Sequence, residues 1–282
     1  MNVREELKSA KNDLRLKGIN EVDAELLMAH ILGITRMDLH NSVLLKQRLQ
    51  EHESTQEISE QFHLACQRRA LGEPVQYITG IAYFHNISLS VGPGVLIPRP
   101  ESELLVESIL QHLQGDAREV SVIDLGSGSG AIAIAIALEA PQSRVIAIEN
   151  DEEALIYLRK NVEMCNANVR IVAEDVAVAL QGVKADIVVA NPPYIRNGAE
   201  LPQEVKQYEP DVALFGGSTG MEAPRVFIEA ASRLLKSGGL FLMEHGEEQG
   251  ELVSRALDSN FQSIKLHTDH NDRPRWTSAE KK

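Results

Sequence analysis

The sequence predicts an α/β protein in which a doubly wound parallel β-sheet follows a small all-α domain and a β-hairpin linker. From residue 100 onward, short apolar runs alternate with amphipathic segments, which is the pattern of a parallel sheet covered by helices. A glycine-rich loop follows the first apolar run of this region, as in the strand–loop–helix units that bind nucleotides. The predicted boundaries are 1–80 for the helical domain, 81–97 for the hairpin and 98–282 for the sheet domain.

The first eighty residues predict helices. Apolar residues recur at helical spacing in three stretches. Ser54 and Glu57 are spaced as a capping box before the third stretch, and Gly72 and Pro74 predict its end. The apolar positions are Val3, Leu7, Ala10 and Leu14, then Val22, Leu26, Leu27 and Ile31, and finally Ile58, Phe62, Ala65 and Cys66.

A hairpin is predicted between the two domains. Ile87, Leu89 and Val91 alternate with polar residues, as in a half-buried strand. The sequence Gly-Pro-Gly at residues 92–94 is typical of a turn, and the apolar run 95–97 predicts the second strand.

Strands and helices are then predicted in alternation. The run 131–138 has isoleucines at a strand-like period of two, yet we predict a helix there. The reasons are that a glycine loop needs a helix behind it and that alanine fills the other positions. The predicted helices are 101–113, 131–138, 154–164 and 224–235, and the predicted strands are 120–125, 145–148, 171–172, 187–190, 240–243 and 261–266.

The charge balance argues against nucleic acid as the main partner. The 282 residues include 28 lysines and arginines against 41 aspartates and glutamates, for a formal net charge of −13. Binding to duplex nucleic acid requires a wide basic surface, so no direct nucleic-acid contact is expected, although a local basic patch remains compatible with this composition.

Membrane insertion and export are not expected either. The apolar run 131–138 is far too short to cross a bilayer, and the charged start of the chain lacks the apolar stretch of a signal peptide. Cys66 and Cys165 do not form a disulfide scaffold. We therefore expect a cytoplasmic protein.

The glycine loop predicts a site for S-adenosylmethionine. Its Gly-x-Gly-x-Gly spacing is shorter than the cradle that dinucleotide folds use for a pyrophosphate, which S-adenosylmethionine lacks. Asp124 precedes the loop, and Glu149 ends the next strand, where a carboxylate binds ribose hydroxyls. Asp175 is placed to accept from the adenine amine and the backbone amide of Val176 to donate to the ring. The loop consists of Gly126, Ser127, Gly128, Ser129 and Gly130.

A second motif follows the apolar run 187–190 and predicts the catalytic residues. It consists of Asn191, Pro192, Pro193 and Tyr194. An amide or amino nitrogen carries two hydrogens and a delocalised lone pair, so acceptors around it favour its attack on a methyl group. The side-chain oxygen of Asn191 and a prolyl carbonyl are such acceptors, and Tyr194 offers a stacking face. No metal ligand set is predicted.

The residues themselves leave alternatives open. A lone glycine loop could be a tight turn, and Asp175 could be a surface carboxylate. The same motif chemistry serves a methyltransferase for an exocyclic amine of adenine in RNA or DNA. A methyltransferase fold that only docks a partner is the alternative from another class.

The second motif resembles that of the methyltransferases that act on amino groups of adenine, cytosine or glutamine. Further segments are similar to the release-factor glutamine methyltransferases, and the resemblance runs from about residue 3 to residue 277. These segments are 73–80, Phe84, 95–103, 213–217, Gly238 with Gly239, and Gln249. The resemblance includes the helical domain in front of the sheet domain, and members of the wider group that act on nucleic acid lack that domain.

The resemblance implies both an activity and a fold. The fold would be a Rossmann-like class I S-adenosylmethionine-dependent methyltransferase domain. The substrate would be the glutamine of the Gly-Gly-Gln motif in peptide chain release factors, docked by the helical domain. By resemblance, residues 126–130, Glu149, Asp175, Val176 and Asn191 hold the cofactor, and residues 191–194 hold the glutamine.

Several residues depart from the pattern of that family. Ser102 stands where threonine is usual, Glu149 where aspartate is commoner, Val176 where some members have tryptophan, Thr219 where aspartate is expected, and His245 where a small aliphatic residue is usual. Three roles are open for Arg99: anchoring an acidic group, lining the active-site rim, or forming a salt bridge that fixes the hairpin.

Overall fold

The computed structural model divides the chain into two compact units. One unit comprises Met1–Ile81 with Pro202–Tyr208, and the other comprises Ala82–Leu201 with Glu209–Lys282. The described residues are 2–52, 54–115 and 118–282. The predicted helical domain, 1–80, includes Met1 and Glu53, which lie outside the described residues.

The elements follow the chain in this order. The α-helices are α1 (Val3–Leu16), α2 (Val22–Leu32), α3 (Ser42–Glu51), α4 (Thr55–Ala70), α5 (Val75–Thr79), α6 (Glu103–Leu113), α7 (Ala131–Glu139), α8 (Glu152–Met164), α9 (Gln203–Tyr208), α10 (Asp211–Leu214), α11 (Glu222–Leu234) and α12 (Gly250–Leu257). Short 3-10 helices are Met37–His40, Pro100–Ser102 and Glu247–Gln249. The strands are β1 (Ile81–Phe84), β2 (Ile87–Ser90), β3 (Ser121–Leu125), β4 (Arg144–Ile148), β5 (Val169–Val172), β6 (Ala185–Ala190), β7 (Leu235–Glu244), β8 (Phe261–Thr268) and β9 (Pro274–Lys281).

The first unit is helical, as the apolar stripes predict. Leu14, Leu27, Met28 and Phe62 are fully buried where α1, α2 and α4 meet. The side chain of Ser54 accepts a hydrogen bond from the backbone of Glu57, so α4 begins at the predicted cap. Helix α3, which the apolar pattern did not predict, begins after a cap of its own at Asn41 and buries none of its residues.

The second unit is built on a sheet with the strand order β5-β4-β3-β6-β7-β9-β8, which accounts for every sheet strand from residue 118 to the end of the described chain. Strands β3 to β7 pair in parallel, while β9 pairs antiparallel with both β7 and β8. The chain runs outward from β3 through β4 and β5, then returns to place β6 on the other side of β3. This reversal creates a crevice at the carboxyl ends of β3 and β6.

Helices cover both faces of this sheet. One core joins α6, α7 and α8 to the sheet through residues such as Ile109, Ile134 and Leu158. The other joins α11 and α12 through residues such as Ile228 and Leu257. Helix α7 forms where predicted. Its residues 131–137 are all buried, which explains why its apolar pattern lacks a helical period.

One predicted strand, 95–97, is wrong, and β1 and β9 were not predicted. The hairpin pairs β1 with β2 across a turn at His85 and Asn86, and residues 95–97 form no strand. His85 has a positive φ of 51°, a conformation that histidine adopts more often than most residues. Because this turn contains no glycine, no residue in the sequence marks it as a turn. Strand β9 was not predicted, because its sequence is mostly polar. Its residues Trp276 and Ala279 nevertheless face the core.

No described helix combines the length and the apolar character that crossing a bilayer would require.

Candidate active site

A cavity opens at the carboxyl ends of β3, β4 and β6, within the second unit. It lies at the crevice that the strand order creates, because β3 and β6 are neighbours in the sheet. The predicted site residues that line it are Gly126, Ser127, Gly128, Ser129, Glu149, Asp175, Val176, Asn191 and Pro193. Of the described residues that were predicted to act, Gly130, Pro192 and Tyr194 do not line it.

The glycine loop between β3 and α7 depends on glycine for its backbone. Gly126, Gly128 and Gly130 have φ values of 66°, 54° and 85°, a region that other residues seldom adopt. A Cβ on Gly130 would lie 2.6 Å from Leu158, and a Cβ on Gly126 would lie 3.0 Å from the ring of Phe227. The loop therefore packs closely on both sides and brings α7 under the cavity.

The carboxylate of Glu149 is fixed by three backbone amides. Its Oε2 accepts from Gly128 at 2.8 Å, and its Oε1 accepts from Asn150 at 2.8 Å and Asp151 at 2.9 Å. A carboxylate oxygen has two lone pairs, so Oε2 keeps acceptor capacity towards the cavity. This buried carboxylate joins the loop after β4 to the loop after β3.

Asp124 places an unsatisfied acceptor at the cavity wall. Its side chain is buried, and its Oδ2 has no hydrogen-bond partner among the described residues. Burial, with a smaller contribution from the charge of Glu149, raises the pKa of Asp124 to about 7. A buried acceptor without a partner is costly, so this atom suits a ligand that brings a hydroxyl or ammonium group.

Asp175 and Val176 follow β5 and reach the same cavity. The carboxylate of Asp175 is exposed and accepts from the backbone of Ala177 at 2.8 Å and from the side chain of Asn150 at 3.3 Å. Val176 is buried. The structure thus brings both residues beside Glu149 as predicted, although their contacts with a ligand stay predictions.

The side chain of Asn191 belongs to a hydrogen-bonded chain that ends on a buried carboxylate. Its Nδ2 donates to Ser102 Oγ at 3.0 Å, and Ser102 Oγ donates to Glu244 Oε2 at 2.6 Å. The hydroxyl of Tyr194 donates to Glu244 Oε1 at 3.2 Å. Glu244 therefore supports both ends of the predicted catalytic motif.

Glu244 lies at the end of β7 and is buried. Burial, with a smaller contribution from Glu101, raises its pKa to about 7, while Ser102 and Tyr194 oppose the rise by donating hydrogen bonds. Burial and the adjacent Glu244 raise the pKa of Tyr194, whose phenol therefore stays protonated.

Gln249 and Gly216 hold the backbone of residues 191–194. Gln249 Nε2 donates to the carbonyl of Tyr194 at 2.9 Å and to that of Gly220 at 3.0 Å, while its Oε1 accepts from Gly246 at 2.8 Å. A Cβ on Gly216 would lie 2.4 Å from the carbonyl oxygen of Pro193, so only glycine fits there.

The other candidate residues have structural partners. Arg99 lines the cavity and also forms an ion pair with the buried carboxylate of Glu209 at 2.5 Å, so the structure agrees with both a place at the rim and a structural ion pair. His245 is buried, and its ring nitrogens bond Thr277 Oγ1 and the carbonyl of Gly246, each at 2.9 Å. The described residues contain no group of three or more potential metal ligands.

No sequence pattern predicted a role for Ser102, Glu244 or Gln249. Gln249 entered only as a match to the family pattern, and Ser102 only as a departure from its usual threonine. Glu244 is separated from Ser102 by 142 residues, so no local spacing could connect them. Its position at the end of a parallel strand was the one available signal, because such ends converge on the ligand crevice.

The chain matches two protein families and is similar to named relatives. The family described as "Methyltransferase small domain" matches residues 100–208, and the one described as "PrmC N-terminal domain" matches residues 5–80. The chain is 38% identical over 266 residues to a Mycolicibacterium smegmatis protein named release factor glutamine methyltransferase, covering 92% of this chain and 89% of that one. A protein of the same name from Escherichia coli is 33% identical over 274 residues, covering 96% of each.

Solved structures confirm the predicted fold class. The catalytic domain of hMettl16, solved in complex with an RNA hairpin of the MAT2A 3′UTR, aligns with a TM-score of 0.55 at 17% identity, over 77% of this chain and 81% of that one. The 16S rRNA N2 G1207 methyltransferase of T. thermophilus, solved with AdoMet and guanosine, aligns with a TM-score of 0.54 at 24% identity, over 72% of this chain and 50% of that one. At these identities the likeness concerns the fold alone.

Proposed function

The chain belongs to the family of release factor glutamine methyltransferases, and from that membership we propose that it methylates the glutamine of the Gly-Gly-Gln motif in peptide chain release factors. It is an S-adenosylmethionine-dependent methyltransferase, and the acceptor is the side-chain amide nitrogen of that glutamine. The family predicted from the sequence is confirmed. The alternative of an enzyme that acts on adenine is not favoured, because the relatives that match nearly the whole chain carry the other name.

One observation carries the proposed chemistry. Asn191 lines the cavity, and its amide nitrogen is committed to Ser102. Its carbonyl oxygen makes no hydrogen bond with any described residue of the chain. An acceptor is thus presented at the place where an amide nitrogen with two hydrogens would bind.

Catalysis then rests on positioning. A glutamine amide nitrogen is a weak nucleophile, because its lone pair is delocalised into the carbonyl group. Asn191 Oδ1 and a prolyl carbonyl accept from its two hydrogens, which favours loss of that conjugation and holds the nitrogen in line for transfer. Tyr194, which does not line the cavity, supports the motif through its hydroxyl, which donates to Glu244. No strong base is required beforehand, since the proton can leave after the methyl group has arrived.

The residues around the cavity fit the cofactor. S-adenosylmethionine supplies a methyl group on a positively charged sulfur and brings hydroxyl and ammonium donors. The open acceptor capacity of Glu149 Oε2 and the unpartnered Oδ2 of Asp124 match such donors. We assign the glycine loop, Glu149, Asp175, Val176 and Asn191 to its binding.

The helical unit is proposed to dock the release factor. Its support is the match of residues 5–80 to the family described as "PrmC N-terminal domain" in a chain whose named relatives are release factor glutamine methyltransferases. Release factors act on ribosomes in the cytoplasm, and the same location is proposed for this chain.

The test is an assay with radiolabelled S-adenosylmethionine. Purified release factor is offered in parallel with the same factor whose Gly-Gly-Gln glutamine is replaced by alanine. Label on the first and none on the second is expected. Equal label on both would move the modified site elsewhere. Label on neither, with cofactor binding verified by calorimetry, would contradict the proposed substrate.

A further inference from the structure

The direction of the hydrogen bonds around Asn191 decides whether its amide can serve the reaction. A primary amide presents an acceptor on one side and a donor on the other. The glutamine nitrogen that receives the methyl group carries only hydrogens, so it needs the acceptor side. If the amide of Asn191 were turned over, two NH2 groups would face each other and neither would be satisfied.

Ser102 determines which side faces the cavity. Its hydroxyl has one hydrogen, and that hydrogen is donated to Glu244 at 2.6 Å. When Glu244 is ionised, its carboxylate can only accept, and the direction of this bond is then fixed. Ser102 Oγ then offers only its lone pairs to the side chain of Asn191. The amide nitrogen of Asn191, 3.0 Å away, is the one atom of that side chain that can donate to them.

We propose that Ser102 and Glu244 are positioning residues, which orient the amide of Asn191 so that its carbonyl oxygen accepts from the methyl-accepting nitrogen of the substrate. This inference rests on the proposed function, since it concerns the same nitrogen. Neither residue touches the reacting atoms. Their effect reaches the substrate through Asn191 alone in the case of Ser102, and through Asn191 and Tyr194 in the case of Glu244.

The surroundings make the orientation firm. Ser102 and Glu244 are only 4% and 3% exposed, so water does not compete for their hydrogen bonds. The second oxygen of Glu244 is held by the hydroxyl of Tyr194. Ser102 ends the 3-10 turn that leads into α6, and Glu244 ends β7, so both are supported by regular structure.

Substitutions at Ser102 separate the hydroxyl from the shape of the side chain. Threonine and valine have the same shape, and only threonine keeps the hydroxyl. The family pattern has threonine at this position. We expect Ser102→Thr to retain kcat within about threefold. Ser102→Val and Ser102→Ala should lower kcat by about 10- to 100-fold, because the side chain of Asn191 then loses the hydrogen bond that fixes both its position and its orientation.

A double-mutant cycle tests whether Ser102 affects kcat through Asn191. In an Asn191→Ala background, adding Ser102→Val should change kcat by less than about twofold, because the residue through which Ser102 acts is gone. A merely structural role would give the same loss in both backgrounds. Calorimetry checks that Ser102→Thr and Ser102→Val still bind S-adenosylmethionine, and thermal unfolding checks that both variants fold.

The outcomes distinguish the two levels of the proposal. If the parent chain labels the release factor while Ser102→Val keeps its kcat, or Ser102→Thr loses as much as Ser102→Val, the positioning role is refuted and the substrate stands. If the parent chain does not label the release factor, the proposed function fails and the positioning role fails with it. If Ser102→Ala does not fold, the threonine and valine pair still decides.

Discussion

The proposed cofactor wall (residues 126–130 and Glu149) and the proposed substrate motif (residues 191–194) lie side by side, yet they are held in different ways. The wall is fixed by backbone and by short-range contacts: Glu149 reaches Gly128 over 21 residues and binds its own neighbours Asn150 and Asp151. The substrate motif depends on side chains from afar, since Asn191 meets Ser102 over 89 residues and Ser102 meets Glu244 over 142. A local sequence pattern can therefore locate the cofactor wall and the substrate motif. Only the folded chain defines the direction of the hydrogen bonds around Asn191 in the substrate motif.

Removing the acceptor of the substrate motif should have the largest effect. Asn191→Ala is expected to lower kcat by about 10²- to 10³-fold, as when one donor of an oxyanion hole is removed. The thermal unfolding midpoint should hardly change, because the side chain makes one hydrogen bond to the protein. Steady-state kinetics with saturating release factor gives the rate. An unchanged kcat would remove Asn191 from the mechanism.

Disturbing the cofactor wall should give a different kinetic pattern. Glu149→Ala leaves three backbone amides without their acceptor and deletes the proposed ribose contact. Affinity for S-adenosylmethionine is expected to fall by about 10- to 100-fold, the range for hydrogen bonds to a charged group. Calorimetry measures this directly. Glu149→Asp is the matched control, and it should keep more of the affinity than alanine does.

The glycine loop should show a loss of stability instead. Gly130→Ala combines a φ of 85° with a Cβ placed 2.6 Å from Leu158, so the unfolding free energy should fall by about 2 kcal/mol or more. Gly128→Ala is the control, because its φ is 54° and its Cβ would meet no atom within 4 Å. Its loss should stay near 1 kcal/mol. Chemical denaturation compares the two, and equal losses would contradict the packing argument.

The smallest expected effect is a dependence of kcat on pH. Burial raises the pKa of Glu244 to about 7, and Glu101, Arg275, Tyr194 and Ser102 are the groups that act on it. Above this pH the carboxylate only accepts, and the direction of the Ser102 hydrogen bond is fixed. Below it, protonated Glu244 can donate, so kcat should fall severalfold as pH decreases through about 7.

Stability should run in the opposite direction. The folded-state pKa of Glu244 lies above its ordinary value of 4.5, so the folded chain binds the proton more tightly. Its contribution to stability is present below about pH 4.5 and is lost as pH rises towards 7. Asp124, whose pKa is also raised to about 7, acts in the same direction. A kcat profile of the parent chain without an inflection near pH 7 would contradict the link between Glu244 and Ser102.

The sequence predicted the elements whose patterns are local. The glycine loop implied the helix α7 despite isoleucines at a period of two, and burial of residues 131–137 explains the misleading pattern. The hairpin was misplaced because its turn uses His85 and Asn86, while the Gly-Pro-Gly sequence at 92–94 attracted the prediction. Strand β9 was missed because pairing with β7 and β8 outweighs its polar composition.

The same division applies to the site. The residues of the cavity wall follow from strand ends and glycine spacing, which is why Glu149, Asp175 and Asn191 were found to share one cavity. Ser102 and Glu244 meet only because α6 and β7 pack in the same unit. No spacing rule connects a hydroxyl with a carboxylate over such a distance.

The most direct measurement is a structure of the chain in complex with S-adenosylhomocysteine and a peptide that contains Gly-Gly-Gln. The glutamine amide nitrogen is predicted to lie about 3 Å from Asn191 Oδ1, with Asn191 Nδ2 still on Ser102. A glutamine bound away from residues 191–194, or an Asn191 amide whose nitrogen faces it, would contradict the assignment of Asn191 as the acceptor.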